Sequence, residues 1–239
     1  MRTYLKVAPL LAIVMVLSLP WGAHAATLIF SEDFDGSISS NFSGITTTVG
    51  VQGFAGFGSP TSTFSGKFLE NTSAHPPVAT VLTLTGLPAH TYIDLDFLLA
   101  VINSWDDTAN SGYAPDYFNV SVDGVTVFTA TFAHALGTAS YTTGKLTATP
   151  NVDLGFSNGY PESGYDMSQE PLLHNITHTA STLTVAFFAS GGGWQGGTDE
   201  SWAIDNLSVS CNVIPVPGTV YLLGPALLGL WGWRRKFGR

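Results

Sequence analysis

The sequence predicts an all-β protein, an antiparallel sandwich, on three observations. Short runs with period-two alternation recur along the chain, turn residues punctuate them about every eight to twelve positions, and no stretch shows helical periodicity in the middle of the chain. The two ends differ from this middle. Arg2 and Lys6 precede an apolar run from Val7 to Leu19, which Pro20, Trp21 and Gly22 break, and Ala23-His24-Ala25 has the small-x-small form of a cleavage site. An apolar run of that kind, about 7 to 15 residues long, is the core of a secretory signal. Residues 1–25 are therefore expected to be a signal helix removed by signal peptidase, and residues 26–212 the folded domain.

The domain opens with a strand from Thr27 to Asp35, in which Leu28, Phe30 and Phe34 share one parity. Glu32 falls among these inward positions, where an acid needs a partner or a cation. Gly36 to Ser65 is rich in Gly, Ser and Thr with isolated Phe42, Phe54, Phe57 and Phe64, and reads as loops and short strands. Lys67 to Asn71 reads as a strand end, His75-Pro76-Pro77 as a break, and Val78 to Leu84 as a cleanly alternating strand. From Tyr92 to Trp105, Ile93, Leu95, Phe97, Leu99 and Val101 keep period two against Asp94 and Asp96. Beyond Phe97 both parities are apolar, so this strand is expected to pass from a half-exposed place to one covered on both faces. Tyr117 to Phe132 is a hairpin, because Asp123-Gly124 supplies the positive φ angles of a type I′ turn.

Ala133 to Pro150 is Thr-rich and undecided. Val152 to Phe156 is expected to be a strand, Asn158 to Pro171 a long surface loop, and Thr182 to Phe187 a strand. Gly191 to Gly197 is a glycine-rich loop presenting Trp194; it sits between strands, so it does not read as a phosphate loop. In the last strand, Ser201 to Cys211, Trp202 and Ile204 have one parity and Leu207 and Val209 the other. All four reach the core only if one residue is inserted near Asp205-Asn206, as in a β-bulge. That makes Asp205 a candidate ligand.

Charge narrows the partners. Residues 26–212 hold two lysines, no arginine and all seventeen acids, a net charge of −15. Such a surface has no cationic footprint for nucleic acid and repels anionic polymers; it suits neutral partners and divalent cations. The single cysteine, Cys211, excludes an internal disulfide and a cysteine-built zinc site. His174 and His178 lie four apart with no evident third ligand, which favours surface histidines over zinc. Catalytic signatures such as Gly-x-Ser-x-Gly or His-Glu-x-x-His are missing. Asp106 with Asp107, or Asp199 with Glu200, could form a glycosidase pair only between loops. Trp105, Tyr113 and Trp194 fall in expected loops, where an exposed ring would stack on a sugar face.

At the C-terminus, residues 213–239 run Ile-Pro215-Val216-Pro217-Gly, then an apolar stretch from Thr219 to Trp233, then Arg234, Arg235 and Lys236. The stretch has 15 residues, short of the ~20 of a spanning helix. An ordinary tail anchor would share the apolar run and the basic cluster. The order Pro-x-Pro, apolar helix, basic cluster resembles a PEP-CTERM sorting signal of the Val-Pro-Leu-Pro-Ala-like kind, with Val216 in place of glutamate. The resemblance implies a bacterial protein held briefly in the membrane by this helix, processed by an exosortase-type enzyme, and left at the cell surface or outside. In the body, Ser104-Trp105-Asp106, Pro115-Asp116-Tyr117-Phe118 and Asp199-Glu-Ser-Trp-Ala-Ile-Asp-Asn206 resemble a jelly-roll domain of exported PEP-CTERM proteins. An acidic first strand with a closing Ile-Asp-Asn strand is also similar to MAM-type domains and calcium-bearing carbohydrate-binding modules. That likeness implies a structural Ca²⁺ held by Glu32, Asp33 and Asp205, with Asp35 and Asp199 as further candidates.

The whole sequence is thus expected to be a jelly-roll-like antiparallel β-sandwich flanked by two hydrophobic terminal helices. Its expected role is non-catalytic, binding neutral polysaccharide. A glycan-active hydrolase using loop carboxylates and a passive structural component of biofilm or envelope are the alternatives.

Overall fold

In the computed structural model, residues 26–107, 114–132, 141–146, 152–156 and 160–214 are described. The signal segment, Tyr113 and the sorting residues Pro215, Val216, Pro217, Arg234, Arg235 and Lys236 lie outside them. Among the described residues no helix is long and apolar enough to cross a membrane. Among the described residues fourteen strands form, all in antiparallel pairs. They are β1 (Thr27–Glu32), β2 (Phe42–Gly44), β3 (Thr47–Gly50), β4 (Gly58–Ser59), β5 (Ser62–Thr63), β6 (Lys67–Asn71), β7 (Thr80–Thr85), β8 (Tyr92–Asn103), β9 (Tyr117–Val122), β10 (Val125–Ala130), β11 (Ser163–Asp166), β12 (Ile176–Thr177), β13 (Thr182–Ser190) and β14 (Glu200–Cys211).

The larger sheet has the order β11-β8-β14-β6-β3, with β12 also on β8 and β1 also on β14; the sheet facing it has β10-β9-β13-β7-β2, and β4 and β5 pair only with each other. The alternation read from the sequence places the core between them. Ile93, Leu95, Phe97, Leu99 and Val101 of β8 meet Phe118, Val120 and Val122 of β9 and Leu183, Val185 and Phe187 of β13 in one buried cluster. The hairpin turn is as expected, with Asp123 at φ 49° and Gly124 at φ 80°.

The second half of β8 is covered on its outer face too. Leu98, Ala100 and Ile102, with Ala203 of β14, pack under Phe54, Phe64, Phe68 and Leu154. Of the aromatics scattered between Gly36 and Ser65, Phe54, Phe57 and Phe64 therefore belong to a third layer, joined by ring contacts such as Phe54–Phe64 at 5.3 Å and Phe54–Phe68 at 5.9 Å, whereas Phe42 lies in the core between the sheets.

The bulge in β14 is present. Asp205 pairs with Leu98 and Ser208 with Asp96, so two residues of β14 face one of β8, and Asn206 has φ 50°. Trp202, Ile204, Leu207 and Val209 all reach the core in consequence. One edge of β14 is shared at this point: β6 pairs with it from Trp202 to Ile204, and β1 from Leu207 to Cys211.

Four expectations are overturned. Leu28 is 58% exposed, because the β1 register shifts between Leu28 and Phe30 and reverses its parity. Val152 to Phe156 makes only an isolated bridge from Val152 to Glu162, since the strand partner of β8 is the following segment. That segment, expected to be surface loop, contains β11, all four of whose residues are buried. His178, expected at the surface, is buried and stacked on His90 at 4.9 Å, with Nδ1 of His178 2.6 Å from Nε2 of His90.

The two buried indoles near the β8–β14 ends differ in one respect. Trp105 Nε1 donates to the Ser201 carbonyl at 2.8 Å, whereas Trp202 Nε1 has no acceptor. Both substitutions to Phe remove similar volume, but only Trp105→Phe also removes a made hydrogen bond. Trp105→Phe is expected to lower stability by about 1 to 2 kcal/mol more than Trp202→Phe in parallel denaturant melts.

Candidate functional site

The β1 end of the sandwich was expected to hold calcium. Its acids are present, but backbone donors occupy them. Glu32 accepts from Phe34 N at 3.3 Å and Ser39 N at 3.0 Å, closing the loop after β1. Asp33 accepts from Asp35 N at 3.1 Å, and Asp35 from Lys67 N at 2.6 Å. Asp205, 1% exposed, accepts from Asn206 N at 2.7 Å and Ser65 N at 3.2 Å. Burial pushes its carboxyl up to about 7; the two N–H donors oppose the rise and the nearby Asp35 and Asp33 add to it. Asp205 thus ties Ser65 to the bulge, Glu32 and Asp33 close the turn after β1, and Asp35 ties that turn to Lys67; among the described residues no three of these acids bring carboxylate oxygens within 4.8 Å of one another. Asp199 sits at the other end of β14, where it accepts from Ser104 Oγ at 3.2 Å.

Beside this end, a groove of about 530 Å³ opens on the outer face of the larger sheet. The aromatic layer covers β8 from Leu98 onward, and the groove occupies the step where that cover stops. Ser31 of β1, Asp96 of β8 and Ser208 of β14 form its floor, because cross-strand pairing sets Ser31 against Ser208 and Ser208 against Asp96. Ser59 and Ser62 of the β4–β5 hairpin line one side and Asp166 the other. His174 lies 3.7 Å from Asp96 and 3.8 Å from Asp94. Burial raises the Asp96 carboxyl above its ordinary range; His174 lowers it, and Asp94 and Asp166 raise it further.

At the opposite end of the sandwich, acids that the sequence analysis named apart from one another come together. Asp106, Asp116 and Glu200 bring carboxylate oxygens within 4.8 Å of one another, the sole such group among the described residues. Asp116 keeps the parity of Phe118 and Val120, and Glu200 that of Trp202 and Ile204, so both point between the sheets. An acid at a core-facing position was the available signal in each case.

The expected sugar-stacking rings close this end from inside. Trp105 is fully buried and Trp194 is 3% exposed. They meet edge to face at 5.2 Å, and Trp194 Nε1 donates to the Ser73 carbonyl at 2.9 Å. The glycine loop is packed for this purpose: a Cβ on Gly193 would lie 2.0 Å from the Ala114 carbonyl oxygen, and one on Gly191 2.1 Å from that of Pro115.

No protein-family model and no curated protein matches the chain. Among solved structures it is similar to the K1 cleaved adhesin domain of Lys-gingipain from Porphyromonas gingivalis W83, at 15% identity and a TM-score of 0.37, over 77% of this chain and 98% of that one. It is also similar to a cycloisomaltooligosaccharide glucanotransferase of Paenibacillus sp., solved with cycloisomaltoheptaose, at 14% identity and a TM-score of 0.33, over 75% of this chain and 18% of that one. A third is the CBM22-1–GH10 portion of xylanase 10B from Clostridium thermocellum, solved with xylohexaose, at 8% identity and a TM-score of 0.33, over 77% of this chain and 27% of that one. Likenesses this distant say nothing about what this chain binds.

Proposed function

We propose that this is an exported, non-catalytic surface module that holds a neutral polysaccharide in the groove on its larger sheet. The carrying observation is the groove's lining. Hydroxyls of Ser31, Ser59, Ser62 and Ser208 stand beside the carboxylates of Asp96 and Asp166, a mixture of acceptors and exchangeable donors that suits sugar hydroxyls. Its volume is within the range of small-ligand sites, about 300 to 1,000 Å³. A domain with a charge of −15 disfavours anionic glycans. Export through the N-terminal signal, and exosortase-type processing of the PEP-CTERM-like tail, complete this reading.

The test is polysaccharide retention in affinity gels across neutral glycans, comparing wild type with Ser31→Trp, which fills the groove from β1. Expected is a loss of about tenfold or more in affinity, roughly 1.4 kcal/mol, with an unchanged melting temperature. A wild-type protein retained by none of them refutes the proposal.

One observation favours hydrolysis as the alternative: Asp96, raised in pKa, shares the groove with Asp166, the kind of carboxylate pair glycosidases use. Release of reducing ends by wild type, abolished in Asp96→Asn with binding intact, would decide for the enzyme.

A further inference from the structure

The Asp106–Asp116–Glu200 cluster lies at the far end of β14 from the groove, and its charge has to be accounted for. Three carboxylates with oxygens within 4.8 Å of one another repel strongly here, because Asp106 is half-buried and Asp116 and Glu200 both have 0% exposure. Neither Asp116 nor Glu200 has a basic partner among the described residues. Lys67 and Lys145 are the only cationic side chains between residues 26 and 214 apart from histidines.

The orientation of these groups adds an independent observation. In Asp116 and Glu200 one oxygen is fixed by a backbone donor: Asp106 N on Asp116 Oδ2 at 2.8 Å, and Gln195 N on Glu200 Oε2 at 2.8 Å. The other oxygen, Asp116 Oδ1 and Glu200 Oε1, is buried and has no hydrogen-bond partner. Asn103 repeats the pattern. It pairs with Glu200 across the strands and therefore shares its face; its Nδ2 donates to the Thr198 carbonyl at 3.0 Å, while its buried Oδ1 has no partner. Three buried oxygens on held side chains, at one end of one inter-sheet space, lack what a buried acceptor requires.

We propose that Asp106, Asp116 and Glu200, with Asn103 Oδ1, bind a Ca²⁺ ion between the two sheets. The donors are all oxygen, which suits a hard cation and not the softer metals that prefer imidazole or thiolate. Calcium takes six to eight oxygens at about 2.3 to 2.6 Å in flexible geometry, so bidentate carboxylates and neighbouring carbonyls can complete the shell. The ion would tie together the segment after β8, the residue before β9 and the glycine loop before β14. This proposed site lies at the opposite end of β14 from Asp205 and the β1 acids, and next in the chain to Asp199, the one residue of the implied set at this end. This inference is independent of the groove and its ligand.

The experiment is thermal melting of the full-length chain at neutral pH in EDTA and in Ca²⁺, for wild type, Asp116→Asn, Glu200→Gln and Asp205→Asn. With Ca²⁺ about a hundredfold above Kd, the wild type is expected to melt about 5 to 10 °C higher than in EDTA. Asp205→Asn should keep that shift and the other two variants should lose it. No Ca²⁺ shift in wild type overturns the proposal, as does a full shift in Glu200→Gln and Asp116→Asn. Should either variant fail to fold, Tb³⁺ carries the test in wild type. Trp105, next in the chain to Asp106, should sensitise lanthanide emission that Ca²⁺ competes away, and the absence of any such Ca²⁺-competed emission overturns the proposal.

Discussion

In EDTA, the protein is expected to melt at a higher temperature at pH 5 than at pH 8, by roughly 5 to 10 °C. Most proteins lose stability on acidification because their carboxylates are stabilised in the folded state. Here several buried acids behave in the opposite way, Asp205 and Glu162 among them. Burial pushes Asp205 up to about 7 from 3.8, and burial pushes Glu162 up to about 7 from 4.5. Asp205 faces Asp35 and Asp33 as well as its two N–H donors. Glu162 faces Asp153, and accepts from the backbone N–H groups of Leu154 and Phe156. Between about pH 4 and pH 7 the folded state keeps these two protons and the unfolded state does not. Their stabilising contribution is therefore complete below about pH 4 and is lost as pH rises through about 7. A rise of one pKa unit is worth about 1.4 kcal/mol, and after allowance for screening the two together contribute on the order of 2 to 4 kcal/mol. Circular-dichroism melts at both pH values check this, with Asp205→Asn as the control. That variant cannot ionise, so its deficit relative to wild type should be larger at pH 5 than at pH 8. A melting temperature that is flat or falls on going from pH 8 to pH 5 would refute the assignment.

What was legible in the sequence follows from period two. An alternating run has only one way to bury its apolar side, which is why β8, β9 and the strand carrying Leu183, Val185 and Phe187 could be read directly, and why a parity slip at Asp205 required a bulge. The same reading stopped where burial does not follow alternation. β11 is buried as Ser-Gly-Tyr-Asp, a run with almost no hydrophobic signal. Phe54, Phe57 and Phe64 are spaced by turns and not by strands, so their joint role as a third layer had no periodicity to reveal it.

The two acidic ends of the sandwich differ in how they read from the sequence. Acids near β1 were visible as a cluster along the chain, but Asx-type hydrogen bonds to the backbone, such as Asp35 N on Asp33, satisfy acids without any ion. Asp116 was quoted only within a resemblance, and Glu200 there and as a possible catalytic partner of Asp199. Extending parity one step beyond Phe118 and Trp202 would have shown both carboxylates facing inward, where they demand an explanation.

Trp105→Ala is expected to lower stability by about 3 to 5 kcal/mol while leaving polysaccharide retention per folded molecule unchanged. The ring is fully buried, and it packs edge to face on Phe132 at 5.8 Å and on Trp194 at 5.2 Å. Its loss leaves a cavity between the sheets and strips the Ser201 carbonyl of its indole donor. The groove is unaffected because Asp96 lies nine residues back along the chain and on the outer face of the sheet. Trp194→Ala should behave alike, and the double variant should cost less than the two singles added, by about 0.5 to 1.5 kcal/mol for the lost edge-to-face contact. An exposed sugar platform makes the reverse prediction: unchanged stability, abolished binding and no coupling between the two rings. Denaturant melts and affinity gels on the same three variants separate the two accounts, because a buried ring holds the β8–β14 end of the sandwich closed and a stacking ring does not.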